Sequence, residues 1–135
     1  MNILLIGSRK TTNFLGEQLL KGKVDKISFV DNSVYNYLNW DIAHSEKVNF
    51  FSGNIQEINT LIKSGLDDAD IVIVDSGDDT SNLFIGQKAK INFDTIIFVI
   101  LEDLSVSEVF ESIGLKILNS HDLKVKKILN EIEKF

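Results

Sequence analysis

The residues after the first apolar run, Gly7-Ser8-Arg9-Lys10-Thr11-Thr12, combine a turn-forming glycine with two cations and a set of hydroxyls. Such a group can grip a phosphate at the start of a helix. A dinucleotide fingerprint at this turn would read GxGxxG, and only its first glycine, Gly7, is present. Arg9 stands where the second glycine lets backbone approach a pyrophosphate, and Thr12 where the third permits close helix packing. Three readings of Arg9, the only arginine of the chain, are open. It is a bidentate phosphate ligand assisted by Lys10, Thr11 and Thr12, or a bulky side chain that fills the phosphate site, or a solvated surface cation. Gly16 bears on the packing question. Glycine inside a helix costs roughly 1 kcal/mol relative to alanine, so its presence there fits a close helix approach displaced from Thr12.

Asp31 directly follows the second apolar run, where a carboxylate accepts hydrogen bonds from ribose hydroxyls and disfavours a 2′-phosphate. Its alternative role is an Asp-Asn-Ser turn that caps the next segment. Ser52-Gly53-Asn54-Ile55 after the third run would flank an adenine, and Asp75-Ser76-Gly77-Asp78-Asp79-Thr80 after the fourth would flank the phosphates. The acids and hydroxyl of that last stretch suit a first helical turn equally well. A cation held by Asp75, Asp78 or Asp79 has no support from ligand spacing. His44 and His121 lie far apart in the chain with no cysteine nearby, and read as surface or capping residues.

Positioning these turns requires strands that end beside one another. Six short apolar runs, 3–6, 27–30, 48–51, 71–74, 95–101 and 115–118, alternate with segments of helical period, the signature of βαβ units around a buried parallel sheet. Phe14, Leu15 and Leu19 mark the first helix. Ile55, Ile58 and Ile62 mark the third connection, and Val106, Val109, Phe110 and Ile113 the fifth. The second connection, 34–45, has an apolar stripe of Tyr37, Leu38 and Ile42, interrupted by the poor helix formers Asn36, Asn39 and Asp41. Gly65 and Gly114 occupy positions that suit helix termini. Residues 123–135 form an amphipathic stripe of Val125, Ile128, Leu129, Ile132 and Phe135. The expected fold is a Rossmann-like, doubly wound α/β domain with strand order 3-2-1-4-5-6, whose ligand lies at the switch point between the first and fourth strands.

At 135 residues, 44% hydrophobic and 25% charged, the chain suits one domain spanning 1–135. No cysteine is present, which excludes disulfides and thiolate chemistry and agrees best with the cytosol. The leading residues MNILLIG do not have the form of a signal peptide, and no apolar run has membrane-spanning length. A net charge of −6 argues against nucleic acid and against anionic membranes as direct partners. Residues 1–67 carry seven basic and seven acidic groups, and residues 68–135 carry seven basic and thirteen acidic, so an anion should meet the first half.

The sequence resembles the regulator-of-potassium-conductance (RCK) family, also called the TrkA N-terminal or KTN domain. The likeness is carried by MNILLIG, by ISFVDNS ending near Asp31, by the stretch from Ser52 through Leu83, and by VFESIGLKIL. Within the stretch, Gly53-Asn54-Ile55-Gln56, Ser64-Gly65-Leu66, Asp68-Ala69-Asp70 and Asp79-Thr80-Ser81-Asn82-Leu83 match the family's turns and helix starts. The resemblance implies a cytosolic module that binds NAD(H) or an adenine nucleotide (ATP, ADP or AMP) and adjusts a membrane potassium channel or transporter, most often as an oligomer. It places Gly7, Ser8 and Arg9 at the phosphate loop, Asp31 and Asn32 at the ribose, Asn54 and Ile55 at the adenine, and Ser76, Gly77 and Asp78 over the phosphates. The chain departs from the family at Arg9 and Thr12, at Asn54 in place of an aspartate, and at Ile100 near a frequent arginine position. In such proteins the segment at 121–135 leads to a partner subunit or a second ligand domain. Its apolar face would be covered by its own domain or by a second copy.

Three functions are therefore carried forward. The first is a nucleotide-responsive regulatory domain, and the second a degenerate interaction scaffold that binds no nucleotide because Arg9 fills the site. The third, a dehydrogenase, lacks a visible acid or base and a substrate domain.

Overall fold

The computed structural model describes residues 1–135. Six parallel strands form one sheet in the order β3-β2-β1-β4-β5-β6. They are β1 (Asn2–Ile6), β2 (Lys26–Asp31), β3 (Val48–Ser52), β4 (Ile71–Val74), β5 (Ile96–Leu101) and β6 (Lys116–Asn119). The β-branched run Ile71–Val74 is buried throughout, as a central parallel strand covered on both faces must be. The register sets Ile6 beside both Val30 and Val74, so β1, β2 and β4 end level and their following loops share one rim.

Alternation along the strands sends side chains to two cores. Ile3, Leu5, Ile27, Phe29, Ile71, Ile73, Phe98 and Ile100 face one side, where they meet Leu15 and Leu19 of α1 (Lys10–Leu20). Leu4, Ile6, Val30, Val72, Val74, Ile97 and Val99 face the other. There they meet Leu61 of α2 (Ile58–Lys63) and Ile85 and Ala89 of α3 (Asp79–Asn92). The short α4 (Ser107–Glu111) follows β5, and α5 (Val125–Glu133) packs Ile128 and Ile132 against the α1 side.

Gly16 is the residue that lets α1 lie close to the sheet. A methyl there would come within 2.6 Å of the Phe29 ring and 2.9 Å of the Ile42 side chain, so the close approach expected at Gly16 is present. Gly86 does the same for α3 against Val99, at 2.7 Å.

The second connection contains no α-helix. Two short 3-10 turns, Tyr35–Tyr37 and Asp41–His44, cover β2 and β3 instead. Their stability comes from aromatic packing: Tyr37 stacks on Phe50 at 4.5 Å, and Trp40 meets Phe29 edge-on at 5.4 Å. Several expected apolar stripes also differ, and Phe135 at the end of the terminal one is exposed. Phe14 is exposed while Leu15 and Leu19 are buried. Val106, Val109 and Ile113 are exposed too, because α4 spans barely more than one turn and presents only Phe110 to the sheet. Leu61, not Ile62, is the fully buried residue of α2. Gly65 and Gly114 have φ of 114° and 100°, the left-handed backbone expected at helix ends. No helix is long and apolar enough to cross a membrane.

Candidate functional site

The loops after β1, β2, β3, β4 and β5 surround the switch point between β1 and β4. Gly7 opens it with φ of 141°. Any Cβ at Gly7 would overlap the backbone carbonyl of Asp75, so glycine is required both by conformation and by the closeness of the β1 and β4 loops. Its carbonyl accepts a 2.6 Å hydrogen bond from the buried Tyr37 hydroxyl. Burial, together with the charge of Asp31, pushes the Tyr37 phenol well above its ordinary value, so it acts as a neutral donor.

Asp31 closes β2 on the same rim. Its Oδ2 accepts a 2.6 Å hydrogen bond from the Ser8 hydroxyl, and Oδ1 accepts one from the Asn32 amide at 2.7 Å. Ser8 in turn accepts from Asn36 Nδ2 at 3.0 Å. The carboxylate is thus held in one orientation and remains partly exposed. The Asn32 contact is the turn that the sequence offered as one role of Asp31. Asn32 and Asn54 are exposed beside it. Asn32 Oδ1 accepts from the Ile55 amide at 3.3 Å, and Asn54 Oδ1 from the Gln56 amide at 3.0 Å, so the β2 and β3 loops are tied together.

Across the switch point lies Asp75, fully buried, with Thr11 and Thr12 hydroxyls donating to its Oδ2 at 2.6 and 2.7 Å. Arg9 Nη1 meets Oδ1 at 3.4 Å, and Arg9 Nη2 lies 4.0 Å from Glu102. Burial raises the Asp75 pKa above the usual carboxylate value, against the opposing pull of the two threonines and of Arg9. The arginine stem lies on Gly77, where a Cβ would come 3.1 Å from Arg9 Cδ. Arg9 therefore runs from the β1 loop across to the β4 and β5 loops, with 37% of its side chain exposed.

This geometry corrects two assignments. Thr12 is fully buried and accepts from the Arg9 amide at 3.1 Å while donating to Asp75, so its hydroxyl does not face a ligand. Ile55 is buried in the core, and its amide is taken by Asn32. Lys10 is exposed at the start of α1. The Ser76 amide donates to Asn82 Oδ1 at 2.9 Å and its hydroxyl to the same oxygen at 2.5 Å. Gly77 and Asp78 are exposed, with Asp78 capping α3 through the Thr80 amide at 3.0 Å. Asp79 accepts from the Glu102 and Asp103 amides, both at 2.9 Å, and so ties the β5 loop to α3. With Asp75, Asp78 and Asp79 engaged in this way, no three of the chain's acids and histidines gather as a metal site.

Sequence reasoning missed Tyr37, Asn36 and Asn82 as organisers of the rim. The fully buried Asn82 donates to the Ile100 carbonyl at 2.8 Å while its oxygen holds Ser76. An amide at the head of the apolar face formed by Ile85, Gly86 and Ala89 was the available signal. His44 and His121 are exposed.

A family model described as the TrkA-N domain matches residues 3–120. No curated protein sequence matches the chain significantly. Among solved structures, the chain is similar to the TrkA-N domain of the inner membrane protein ybaL from Escherichia coli. The TM-score is 0.74 at 16% identity, covering 98% of this chain and 94% of that one. It is similar to the GsuK channel bound to NAD, with a TM-score of 0.70 at 16% identity over 86% of this chain. The match spans only 21% of that channel chain. It is also similar to the Kef C-terminal domain of Shewanella denitrificans in its AMP-bound form, at TM-score 0.68 and 15% identity, covering 87% and 71% of the two chains. At these identities the likenesses establish the fold.

Proposed function

The chain belongs to the TrkA-N domain family, and from that premise we propose that it is a regulatory domain that senses a nucleotide at the β1/β4 switch point. The observation that carries this reading is the Asp31 carboxylate. It stands partly exposed at the end of β2, fixed by Ser8 and the Asn32 amide, where ribose hydroxyls of a bound nucleotide would donate to it. Asn32 and Asn54 flank the base, and the Ser8 amide, Arg9 and Lys10 supply donors and positive charge for phosphate at the start of α1. Solved relatives of the same fold hold NAD and AMP, which supports a nucleotide as the ligand class.

The role we assign is binding, not catalysis. The crevice carboxylates are engaged in holding loops: Asp75 by two threonines and Arg9, Asp78 by the α3 terminus, and Asp79 by the β5 loop. A ligand that draws together the loops after β1, β2 and β3 would change how this domain packs against a second copy or against a membrane channel or transporter subunit on the cytoplasmic side. The coupling is as strong as the difference in affinity between the two packings. Potassium transport is the process that this reading assigns.

Titration calorimetry with AMP, ADP, ATP, NAD and NADH tests the reading. At least one should bind with a dissociation constant below about 1 mM, and Asp31→Ala should weaken it by about tenfold or more. Absence of heat with all five would remove it. A second reading, a scaffold that has lost its ligand, draws on one observation: the Arg9 stem rests on Gly77 and its head is paired with Asp75.

A further inference from the structure

We infer that Arg9 divides the crevice and makes it selective for a nucleoside monophosphate over a dinucleotide. This inference rests on the switch point being a nucleotide site at all, and it concerns which nucleotide enters. A dinucleotide lies across the carboxyl ends of both halves of such a sheet, with its pyrophosphate passing over the second glycine of the loop after β1. In this chain that position is Arg9. Its side chain neither turns back along α1 nor points into solvent, but crosses toward β4. The stem covers Gly77, and the guanidinium lies between Asp75 at 3.4 Å and Glu102 at 4.0 Å.

The two sides of this bar differ in chemistry. On the β2 and β3 side, the rim offers the oriented Asp31, the exposed amides of Asn32 and Asn54, and the Ser8 hydroxyl, the groups suited to a ribose and a base. On the β4 and β5 side, the rim carries Asp75, Asp78, Glu102 and Asp103, with Arg9 the cation paired to Asp75 and Glu102. A single phosphate placed beside Ser8 and Lys10 meets the near edge of the arginine and need not break its pairing. A second phosphate and nucleoside would have to displace Arg9 from the buried Asp75. That leaves a carboxylate without its cation, and the added anion faces the remaining acids. The loop after β4 is shaped to this arrangement, since Gly77 has φ of 93° and leaves space for the arginine stem where a methyl would press on it.

The test is paired calorimetry with AMP and NADH on the parent protein, on Arg9→Gly and on Glu102→Gln, with folding of each confirmed by its circular-dichroism melt. The parent should bind AMP at least about tenfold more tightly than NADH. Arg9→Gly should bind NADH more tightly than the parent does and AMP less tightly. Glu102→Gln keeps the Asp75 pair but frees the outer half of the guanidinium, and should move the AMP-to-NADH ratio in the same direction by a smaller factor. A parent that binds NADH as well as AMP overturns the inference while leaving the nucleotide site standing, as does a ratio unchanged by either variant. Binding to neither ligand by the parent or by any variant overturns both the inference and the site. NADH binding that arises only in Arg9→Gly, with none of either ligand in the parent, overturns the inference in favour of the ligand-free scaffold.

Discussion

Asp75 is a carboxylate that the fold keeps out of water, and its surroundings give it a pH response of its own. Its pKa lies above that of the unfolded chain because burial penalises the charge more than Thr11, Thr12 and Arg9 favour it. A group whose folded pKa is raised contributes its stability in full below the unfolded value, and loses it as pH rises through the folded one. Asp75→Asn cannot ionise. Its stability relative to the parent should therefore increase as pH rises above about 4, measured as the difference in urea midpoints. A difference that stays constant with pH would contradict the assignment. Tyr37 is the second residue with a decisive contact, since its buried hydroxyl is the donor to the Gly7 carbonyl. Tyr37→Phe should cost about 1–3 kcal/mol by leaving that carbonyl unpaired. This contact was not legible in the sequence, where Tyr37 read only as part of an apolar stripe. The direction of a side chain and the group it meets thirty residues away depend on packing that composition does not encode.

Among the elements, the strands β1, β2, β4 and β5 were the most legible, because apolar run and burial agree in them. Ile71–Val74 reads as a central strand and is one, and Gly16 reads as a close contact and sits against Phe29. Gly16→Ala should accordingly destabilise the domain by about 1–3 kcal/mol in chemical unfolding despite alanine's better helix propensity, since the Phe29 ring has no space to yield. A stabilising effect would mean that α1 can lift from the sheet at little cost. The connection between β2 and β3 was less legible. Asn36, Asn39 and Asp41 argued against a helix, but nothing in the pattern revealed that Tyr37, Trp40, Phe29 and Phe50 would pack as a cluster and take over its role. The stripe at Val106–Ile113 misled for the opposite reason: helical period was present, but the helix is too short to turn it inward. The loop after β1 shows the same division. Gly7 was identifiable from its type and place, whereas the three open roles of Arg9 could be separated only by seeing it reach Asp75, Gly77 and Glu102.

At the scale of the whole molecule, strand order, level strand ends and uneven charge converge on one crevice. Its acidic half follows β4 and β5, and its neutral to basic half follows β1, β2 and β3. Surface grooves lie elsewhere, one of about 760 Å³ between α1 and α5, lined by Met1, Leu129, Ile132 and Phe135 among others. Trp40, the one tryptophan, packs on Tyr37 and so connects to Gly7 at the crevice floor. Its fluorescence should change on saturation with AMP in the parent and change less in Asp31→Ala at the same AMP concentration. The most direct test of the nucleotide site is a crystal structure grown with AMP. Density is expected at the β1/β4 switch point, with ribose hydroxyls on Asp31 and the phosphate beside Ser8, Arg9 and Lys10. AMP bound instead between α1 and α5, or a crevice occupied by Arg9 with no ligand beside it, would contradict it.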